Sequence, residues 1–320
     1  MASLAPGSRA LVTGGAGFIG SNLTRALLAR GVEVVVLDDL CNGLRENLPE
    51  DPRCSFVEGD IRDAGVVREA AEGCEVVFHQ AAIGSVPRSM REPLIYYDVN
   101  LRGSAVVFEA ARDAGVRRVV WASSSSVYGN TEAAEKREGE EGKPISPYAA
   151  SKAGIEVVAA AHSEAYDQEI VGLRYFNVYG PFQRSDSAYA AVVPLFVAAL
   201  ESGERPRIFG DGEQARDFSF VADVVDANLL AATVDASMRG EVFNVSGDRA
   251  YSVNQLLAAV AAALGCAEPG PEYLSPRKGD IRRSKADLAR ARRILGYSPG
   301  TSLADGLAQT VAWFRSRARG

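Results

Sequence analysis

"LVTGGAGFIGS", residues 11–21, places Gly14, Gly17 and Gly20 between a Val-rich run and an apolar helical pattern. Glycine allows a tight turn at the first position, close approach of a pyrophosphate at the second, and helix–strand packing at the third. The helix that follows points its free N–H groups and its positive dipole end at the same place. The stretch predicts a dinucleotide-binding strand–turn–helix unit; the alternative is an ordinary glycine-rich turn.

The flanking sequence predicts the fold class. Short Val-rich runs alternate with helical patterns that end in glycine, as in the runs RALVTG, EVVVLDD, CSFVEGD, EVVFHQA, RRVVWASSS and EIVGLRYFNVYG. This order is typical of an α/β protein with a doubly wound parallel (Rossmann) sheet. We predict the sheet domain from residues 1–177 and 218–236. Residues 178–217 and 237–320 should form a smaller α/β lobe, with helices at 223–234, 252–264 and 302–317.

Composition excludes several classes of protein. The chain has 320 residues, 47% of them hydrophobic, and a net charge of −6. This charge argues against a nucleic-acid binder held by phosphate contacts. Without a signal peptide or a long apolar run, we expect no membrane segment and a cytoplasmic location. Four scattered cysteines predict free thiols, and two histidines without a ligand pattern predict no metal site.

An acidic residue ends the second predicted strand. Asp38 follows the first glycine at about the spacing that places a carboxylate on a ribose diol, and Asp39 could share that role. A carboxylate there repels a 2′-phosphate, so NAD is favoured over NADP. The alternative is an acid that only begins a loop.

A catalytic set is predicted from "SPYAASK", residues 146–152. Tyr148 and Lys152 are one helical turn apart, so the ammonium should lower the pKa of the phenol and make it a proton acceptor. Ser124, at the end of a preceding strand, is our choice to bind the same substrate oxygen. The alternatives are two ordinary helix residues and, for Ser123 and Ser126, strand-end caps.

Together these motifs resemble the extended short-chain dehydrogenase/reductase superfamily in its nucleotide-sugar epimerase/dehydratase branch. The chain is most similar to bacterial UDP-hexose 4-epimerases, and among them to UDP-N-acetylglucosamine 4-epimerases. The resemblance extends over nearly the whole chain, through TGGAGFIGS, LDDLCNG, GDIRD, RYFNVYG, RDF and RKGDIRRSKAD. It implies NAD as cofactor, a UDP-sugar as substrate and a homodimer formed by the helices around residues 100–115 and 146–166.

The resemblance also implies which residues contact the cofactor. These are Gly14, Gly17, Phe18, Ile19, Gly20, Asp38, Asp39, Asn42, Asp60, Ile61, Gln80, Ala81, Ala82, Tyr148, Lys152 and Phe176. Apolar core roles are the alternatives for Ile19, Ile61 and Phe176. A structural role is expected for Asn100.

A second set is implied for the substrate. It comprises Gly84, Ser85, Arg88, Ser124, Ser125, Ser126, Tyr148, Asn177, Gln183, Val193, Arg216, Arg277, Asp280 and Ser284. Arg216 and Arg277 should clamp the pyrophosphate, because guanidinium donates paired N–H groups to phosphate. Asp280 could hold the nucleotide's ribose.

Two features of the sequence bear on the type of reaction and on the choice of sugar. Sugar dehydratases of this branch carry an Asp-Glu pair where this chain has Ser125 and Ser126, so we expect epimerisation through a 4-keto sugar rather than elimination of water. Ser284 stands where glucose/galactose-only enzymes have a tyrosine, which leaves room for an N-acetyl group. UDP-glucose therefore remains possible as a substrate. The alternatives are a UDP-glucuronate 4-epimerase, with Arg88 on the carboxylate, and a non-catalytic NAD-binding sensor.

Overall fold

The computed structural model describes residues 4–184, 191–276 and 282–317. It confirms the predicted doubly wound fold, which is built on seven parallel strands. These are β1 (Arg9–Thr13), β2 (Glu33–Asp38), β3 (Cys54–Glu58), β4 (Val76–His79), β5 (Arg118–Ser124), β7 (Ile170–Tyr175) and β12 (Glu241–Val245). Their order is β12-β7-β5-β4-β1-β2-β3. A β-strand β6 (Glu135–Lys136) lies outside this sheet.

Helices cover both faces of the sheet and supply most of the core of the smaller lobe. They are α1 (Phe18–Ala29), α2 (Ala64–Ala71), α3 (Val86–Ser89), α4 (Pro93–Tyr96), α5 (Gly103–Asp113), α6 (Pro147–Tyr166), α7 (Val192–Glu201), α8 (Val221–Thr233), α9 (Val253–Leu264), α10 (Ala289–Leu295) and α11 (Leu303–Arg317). Val34 and Val36 pack towards α1 and α8, whereas Val35 and Leu37 pack towards α2 and α5. Because alternate side chains are buried on opposite faces, the strands read as continuous apolar runs.

The smaller lobe has its own core, formed where α7, α9 and α11 pack together. Short strands complete it: β8 (Val178–Tyr179), β9 (Arg207–Phe209), β10 (Ala215–Asp217), β11 (Ser219–Phe220), β13 (Ala250–Ser252), β14 (Glu272–Leu274) and β15 (Arg283–Ala286). Strands β13, β10, β15 and β6 form one sheet, and β8–β11 and β9–β14 are parallel pairs. Among the described residues, no helix is long and apolar enough to cross a bilayer.

One predicted boundary is wrong at a strand. Residues 237–320 were expected in the lobe, but β12 pairs in parallel with β7 and forms an edge of the main sheet. Phe243 and Val245 of this strand are buried in the core of the main sheet. Helix α8 returns the chain to that edge, so the strand completes a further crossover. Helix α10 then packs against β12 through the same core.

The shared strand direction places the functional loops together. Strands β1, β2, β4, β5 and β7 end at Thr13, Asp38, His79, Ser124 and Tyr175, and all five ends lie at one edge of the sheet. Open parallel sheets bind ligands outside this carboxyl edge. A ligand site is therefore expected among the loops that leave this carboxyl edge.

Candidate active site

The glycine loop has the geometry that a pyrophosphate requires. Gly14 has a φ of +69°, and a Cβ on Gly20 would lie 2.1 Å from the carbonyl oxygen of Gly14. Gly17 caps helix α1 without a side-chain hydrogen bond, so the first N–H groups of the helix remain available. The residues present therefore fit a dinucleotide.

A cavity of about 380 Å³, the glycine-loop cavity, lies at this point. It brings together most of the residues predicted to contact the cofactor: Gly14, Gly17, Phe18, Ile19, Gly20, Asp38, Asp39, Asn42, Asp60, Ile61, Gln80, Ala81 and Ala82. Gly84, predicted to contact the substrate, lines it as well. The strand ends and the first turn of α1 supply this lining.

Asp38 is held in place for a ribose diol. Its Oδ2 accepts a hydrogen bond from the backbone N–H of Ala16, and its Oδ1 accepts one from Leu40, both at 2.9 Å. Burial raises the pKa of this carboxyl group. Each oxygen keeps a lone pair for a ligand, so the carboxylate is oriented before any ligand arrives.

Phe176, for which the resemblance implies a cofactor contact, is not among the residues that line the glycine-loop cavity. Its side chain is completely buried, and its ring packs 6.1 Å from the ring of Tyr128. Because it exposes no surface to the glycine-loop cavity, its position agrees with the alternative of an apolar core role.

Among the residues of the glycine-loop cavity that sequence reasoning missed, Phe182 and Arg184 come from the segment beyond Gly180. Phe182 has a φ of +71°, and its ring lies between the Arg25 guanidinium at 4.2 Å and the Trp313 ring at 5.3 Å. Arg184 donates a hydrogen bond to the carbonyl oxygen of Asn42. The sequence pattern beyond Gly180 is irregular and gave no signal for these contacts.

The structure brings Ser124 and Tyr148 together. Ser124 ends β5, and its side chain lies close enough to Tyr148, in the first turn of α6, to lower the pKa of the phenol. Ser146 fixes the start of this helix, because its hydroxyl accepts a hydrogen bond from the Ala149 N–H at 3.1 Å. The ring of Tyr96 packs edge-on against the Tyr148 ring. The two hydroxyls can therefore bind one substrate oxygen.

The expected effect of Lys152 on Tyr148 is wrong for the protein chain by itself. Burial raises the pKa of Tyr148, and the nearby Ser124 side chain only partly opposes this effect. The Lys152 ammonium instead donates to the carbonyl oxygen of Ala122 at 2.7 Å. Burial lowers the pKa of Lys152 to about 8, against the opposing charge of Glu156. Both groups are thus biased towards their neutral forms.

Asn100 has the structural role expected of it. Its Oδ1 accepts a hydrogen bond from the Ile83 N–H at 2.8 Å. Its amide donates to the Ile83 carbonyl at 3.1 Å and to the Ser151 hydroxyl at 3.2 Å. This side chain joins the loop after β4 to helix α6.

A second cavity of about 920 Å³, the lobe cavity, is lined by residues of the lobe and by the segment that follows β7. Asn177, Val193 and Arg216, three of the predicted substrate residues, line it. Asn177 has a φ of +29°, and its amide donates to the carbonyl oxygen of Asp217 at 2.8 Å. Ser284 neighbours Arg216 in the register of β15 and β10. Sequence reasoning missed further lining residues: Val192, Phe196, Arg207, Ile208, Phe209, Phe218 and Val253.

The remaining predicted sugar contacts are already engaged within the chain. The Ser85 hydroxyl caps α3 by accepting a hydrogen bond from the Arg88 N–H, and the Arg88 guanidinium donates twice to Glu92. Gln183 donates to the carbonyl oxygen of Val178 at 3.0 Å.

Two buried oxygens near the site have no hydrogen-bond partner among the described residues. They are Gln183 Oε1 and Ser126 Oγ, the latter in the turn that begins with Ser125. Such atoms are candidates for contact with a ligand or a water molecule. Arg277 and Asp280, the other two predicted nucleotide contacts, lie outside the described residues.

His79 has a structural role, because its ring is hydrogen-bonded within the core. His79 lies between the hydroxyls of Thr13 at 2.6 Å and Ser104 at 2.9 Å. Burial lowers the pKa of His79 to about 3, so the ring is neutral. Within the described ranges, no group of three His, Cys, Asp or Glu side chains could hold a metal ion.

Residues 10–246 match the NAD dependent epimerase/dehydratase family. The chain belongs to this family. NAD is therefore its cofactor, and the residues of the glycine-loop cavity fit it. A UDP-glucose 4-epimerase of Mycolicibacterium smegmatis is 44% identical over 97% of this chain and 100% of the relative.

Two solved structures show the same fold over nearly the full length of both chains. One is a UDP-N-acetylglucosamine 4-epimerase from Methanobrevibacter ruminantium in complex with UDP-N-acetylmuramic acid, with 37% identity and a TM-score of 0.92 over 97% of this chain and 99% of that chain. The other is a UDP-glucose 4-epimerase from Thermotoga maritima with UDP-glucose, with 39% identity and a TM-score of 0.91 over the same shares. Proteins named dTDP-glucose 4,6-dehydratase and UDP-glucuronate 4-epimerase also match, at 35% and 31% identity.

The buried ammonium gives a testable link between stability and pH. A lysine whose pKa falls from 10.5 to about 8 on folding destabilises the fold while it is charged, so the parent protein gains stability as pH rises between these values. Lys152→Met removes this dependence. With cofactor removed, the free energy of unfolding of the variant should equal or exceed that of the parent at neutral pH. The difference between the two free energies should shrink above pH 8. Urea unfolding across this pH range measures both free energies.

Lys143→Met is the control, because Lys143 is exposed. It should change the free energy of unfolding by no more than about 0.5 kcal/mol. A Lys152→Met variant that is less stable than the parent at neutral pH would contradict the interpretation.

Proposed function

We propose that this protein is an NAD-dependent 4-epimerase of a UDP-hexose, acting on UDP-N-acetylglucosamine and UDP-N-acetylgalactosamine and also accepting UDP-glucose and UDP-galactose. One observation carries the proposal. The side chains of Ser124 and Tyr148 lie near each other at the sheet edge that also forms the glycine-loop cavity. Membership of the NAD dependent family supports redox chemistry at this edge.

The chain's own residues move the proton. Tyr148 accepts the proton of the sugar 4-hydroxyl and later returns it, while Ser124 orients the same oxygen. Bound NAD supplies the hydride acceptor for C4 and a positive charge beside the phenol. The 4-keto sugar would have to turn over beside Tyr148 before the hydride returns to its opposite face, while Asn177 and Arg216 of the lobe cavity would hold the diphosphate. Lys152, one helical turn from Tyr148, would hold the nicotinamide ribose.

The residues after Ser124 favour epimerisation over elimination of water. Elimination needs an acid that protonates a leaving hydroxyl, and Ser125 and Ser126 carry no acidic group. Neither can supply that proton at neutral pH. The chain therefore lacks the Asp-Glu pair that would catalyse elimination of water at these positions.

The lobe residues favour an N-acetylhexosamine. Ser284 is a small side chain beside Arg216, so space remains near the pyrophosphate-binding strand. Gln183 has a buried amide oxygen that can accept the N–H of an acetamido group. The uronate alternative depends on Arg88, whose guanidinium already pairs with Glu92. A neutral sugar therefore suits the site better than a carboxylate.

The catalytic assignment is tested by Tyr148→Phe. Loss of the phenolic oxygen removes the proton acceptor, so kcat should fall by about 10²- to 10⁴-fold. NAD should remain bound, as measured by its release on denaturation. NMR of UDP-N-acetylglucosamine incubated with enzyme follows the epimerisation.

Tyr96→Phe is the matched control, because it removes a phenol from the neighbouring ring. It should cost less than about tenfold in kcat. Turnover by Tyr148→Phe at the parent's rate would refute the assignment. A parent that holds NAD but converts no UDP-sugar would point to the sensor alternative.

The choice of sugar is tested by Ser284→Tyr. A bulky ring at this position should lower kcat/KM for UDP-N-acetylglucosamine at least about tenfold and leave that for UDP-glucose within about threefold, because only the larger 2-substituent loses space. Both values come from NMR progress curves. Ser284→Ala should leave both substrates unaffected. Equal losses for both sugars, or conversion of UDP-glucuronate alone by the parent, would contradict the choice.

A homodimer is the proposed assembly. Val157 and Tyr166 on α6 are 71% and 51% exposed, and Met90 and Leu94 are 62% and 78% exposed in the segment before α5. Exposed apolar residues clustered on α6 and in the segment before α5 suit a protein interface.

Val157→Glu should shift the mass measured by light scattering from that of two chains to that of one. Tyr273→Glu, a similarly exposed site on the lobe, should leave the mass unchanged. A monomeric parent would refute the dimer.

A further inference from the structure

A buried carboxylate behind the catalytic residues is not used by the chemistry proposed above. Glu156 follows Lys152 by four residues and Tyr148 by eight, so all three lie along one face of α6. Its side chain is only 15% exposed. A charge that is removed from water to this extent needs partners in the fold.

The partners of Glu156 come from the two strands that α6 packs on. Its Oε1 accepts hydrogen bonds from the Ser123 hydroxyl at 2.6 Å and from Arg174 Nε at 2.8 Å, and its Oε2 accepts one from Arg174 Nη2 at 2.7 Å. Ser123 and Arg174 are register partners on β5 and β7. One carboxylate therefore ties the helix to both strands.

Arg174 is itself fixed from the other side. Its side chain is 3% exposed, and its Nη1 donates to the Tyr128 hydroxyl at 3.0 Å and to Glu141. The Tyr128 hydroxyl donates in turn to Asn244 on β12 at 2.7 Å. The guanidinium cannot follow the helix if α6 shifts, so the ion pair resists sliding of α6.

We propose that Glu156 is a positioning residue that sets the register of α6, with Tyr148 and Lys152, against strands β5 and β7. Ser124 directly follows Ser123 on β5, so the same ion pair fixes the two hydroxyls that share the sugar oxygen. Buried ion pairs add little net stability compared with apolar packing, but they specify geometry where few alternatives satisfy the charges. Small displacements of catalytic groups lower the rate strongly.

Glu156 also influences the charge of Lys152. The charged or titratable groups around the ammonium are Glu156 and Tyr148 on α6 and the neutral His79 on β4, with Arg174 beyond the carboxylate. Glu156 raises the pKa of Lys152 and so opposes the effect of burial. Its removal should make Lys152 lose its proton at a lower pH.

The test is Glu156→Gln, assayed with the UDP-sugar that the parent converts. A neutral amide cannot accept from both Arg174 donors, so kcat should fall roughly 10- to 100-fold. KM should stay within about threefold, because the nucleotide is held by the lobe. In a plot of kcat against pH, the fall of kcat at alkaline pH (the alkaline limb) should begin at a lower pH, because Lys152 loses its proton at a lower pH. A purely structural carboxylate would not move this limb.

Glu169→Gln provides a matched control at the other end of the same strands. Glu169 pairs with the buried Arg118, the first residue of β5, at 3.0 Å, and Arg118 is 6% exposed. This variant breaks a comparable ion pair far from the carboxyl edge. It should leave kcat within about threefold and the pH profile unchanged.

Equal effects of Glu156→Gln and Glu169→Gln on kcat, with no shift of the alkaline limb, would overturn the proposal. If Glu156→Gln does not fold, Ser123→Ala decides, because it removes one hydrogen bond and keeps the ion pair. It should lower kcat about three- to tenfold, and an unchanged kcat would overturn the proposal. The inference rests on the proposed function. A parent enzyme without turnover would refute that function. An active parent whose kcat and pH profile are matched by Glu156→Gln would refute only this inference.

Discussion

All seven strands of the main sheet run in the same direction, and the location of the chemistry depends on this constraint. Helices bury both faces, so the carboxyl ends of the strands are the edge at which several loops meet. The glycine loop follows β1, Asp38 ends β2, Ser124 ends β5 and Asn177 follows β7. Helix α6 begins near this edge and adds Tyr148 and Lys152. A ligand that reaches Ser124 would consequently be close to the glycine-loop cavity.

Burial sets the charge state of Tyr148 and Lys152 in a way that spacing alone does not reveal. Four residues of separation suggested an ammonium acting on a phenol, but the structure directs the Lys152 ammonium at the carbonyl oxygen of Ala122. The chain by itself keeps Tyr148 protonated and draws the pKa of Lys152 down to about 8. A protonated phenol is the form that returns a proton to a sugar oxygen. The form that accepts a proton needs further positive charge close by, which makes cofactor binding and proton acceptance interdependent.

The parts of the fold and site that are local in sequence could be predicted, and those that depend on distant contacts could not. Three glycines, an acid at a strand end and a helical Tyr–Lys pair each carry their meaning within about 25 residues. Strand β12 was missed because its short run follows an irregular stretch, and only pairing with β7 shows where it belongs. Phe182 reaches the glycine-loop cavity through contacts with Arg25 and Trp313, which are far away in the chain. The pair of Glu156 and Arg174 likewise requires knowing that α6 packs on β7.

The chain between β7 and the lobe links the two cavities. Asn177 lines the lobe cavity and Phe182 lines the glycine-loop cavity, and both have positive φ values, which non-glycine residues rarely adopt. Such conformations persist only when the surroundings hold them. Asn177 is fixed by its hydrogen bond to the Asp217 carbonyl, and Asn22 on α1 donates to the carbonyl oxygen of Pro181. Because this short segment is held by contacts on both sides, it fixes the position of the lobe cavity relative to the glycine-loop cavity.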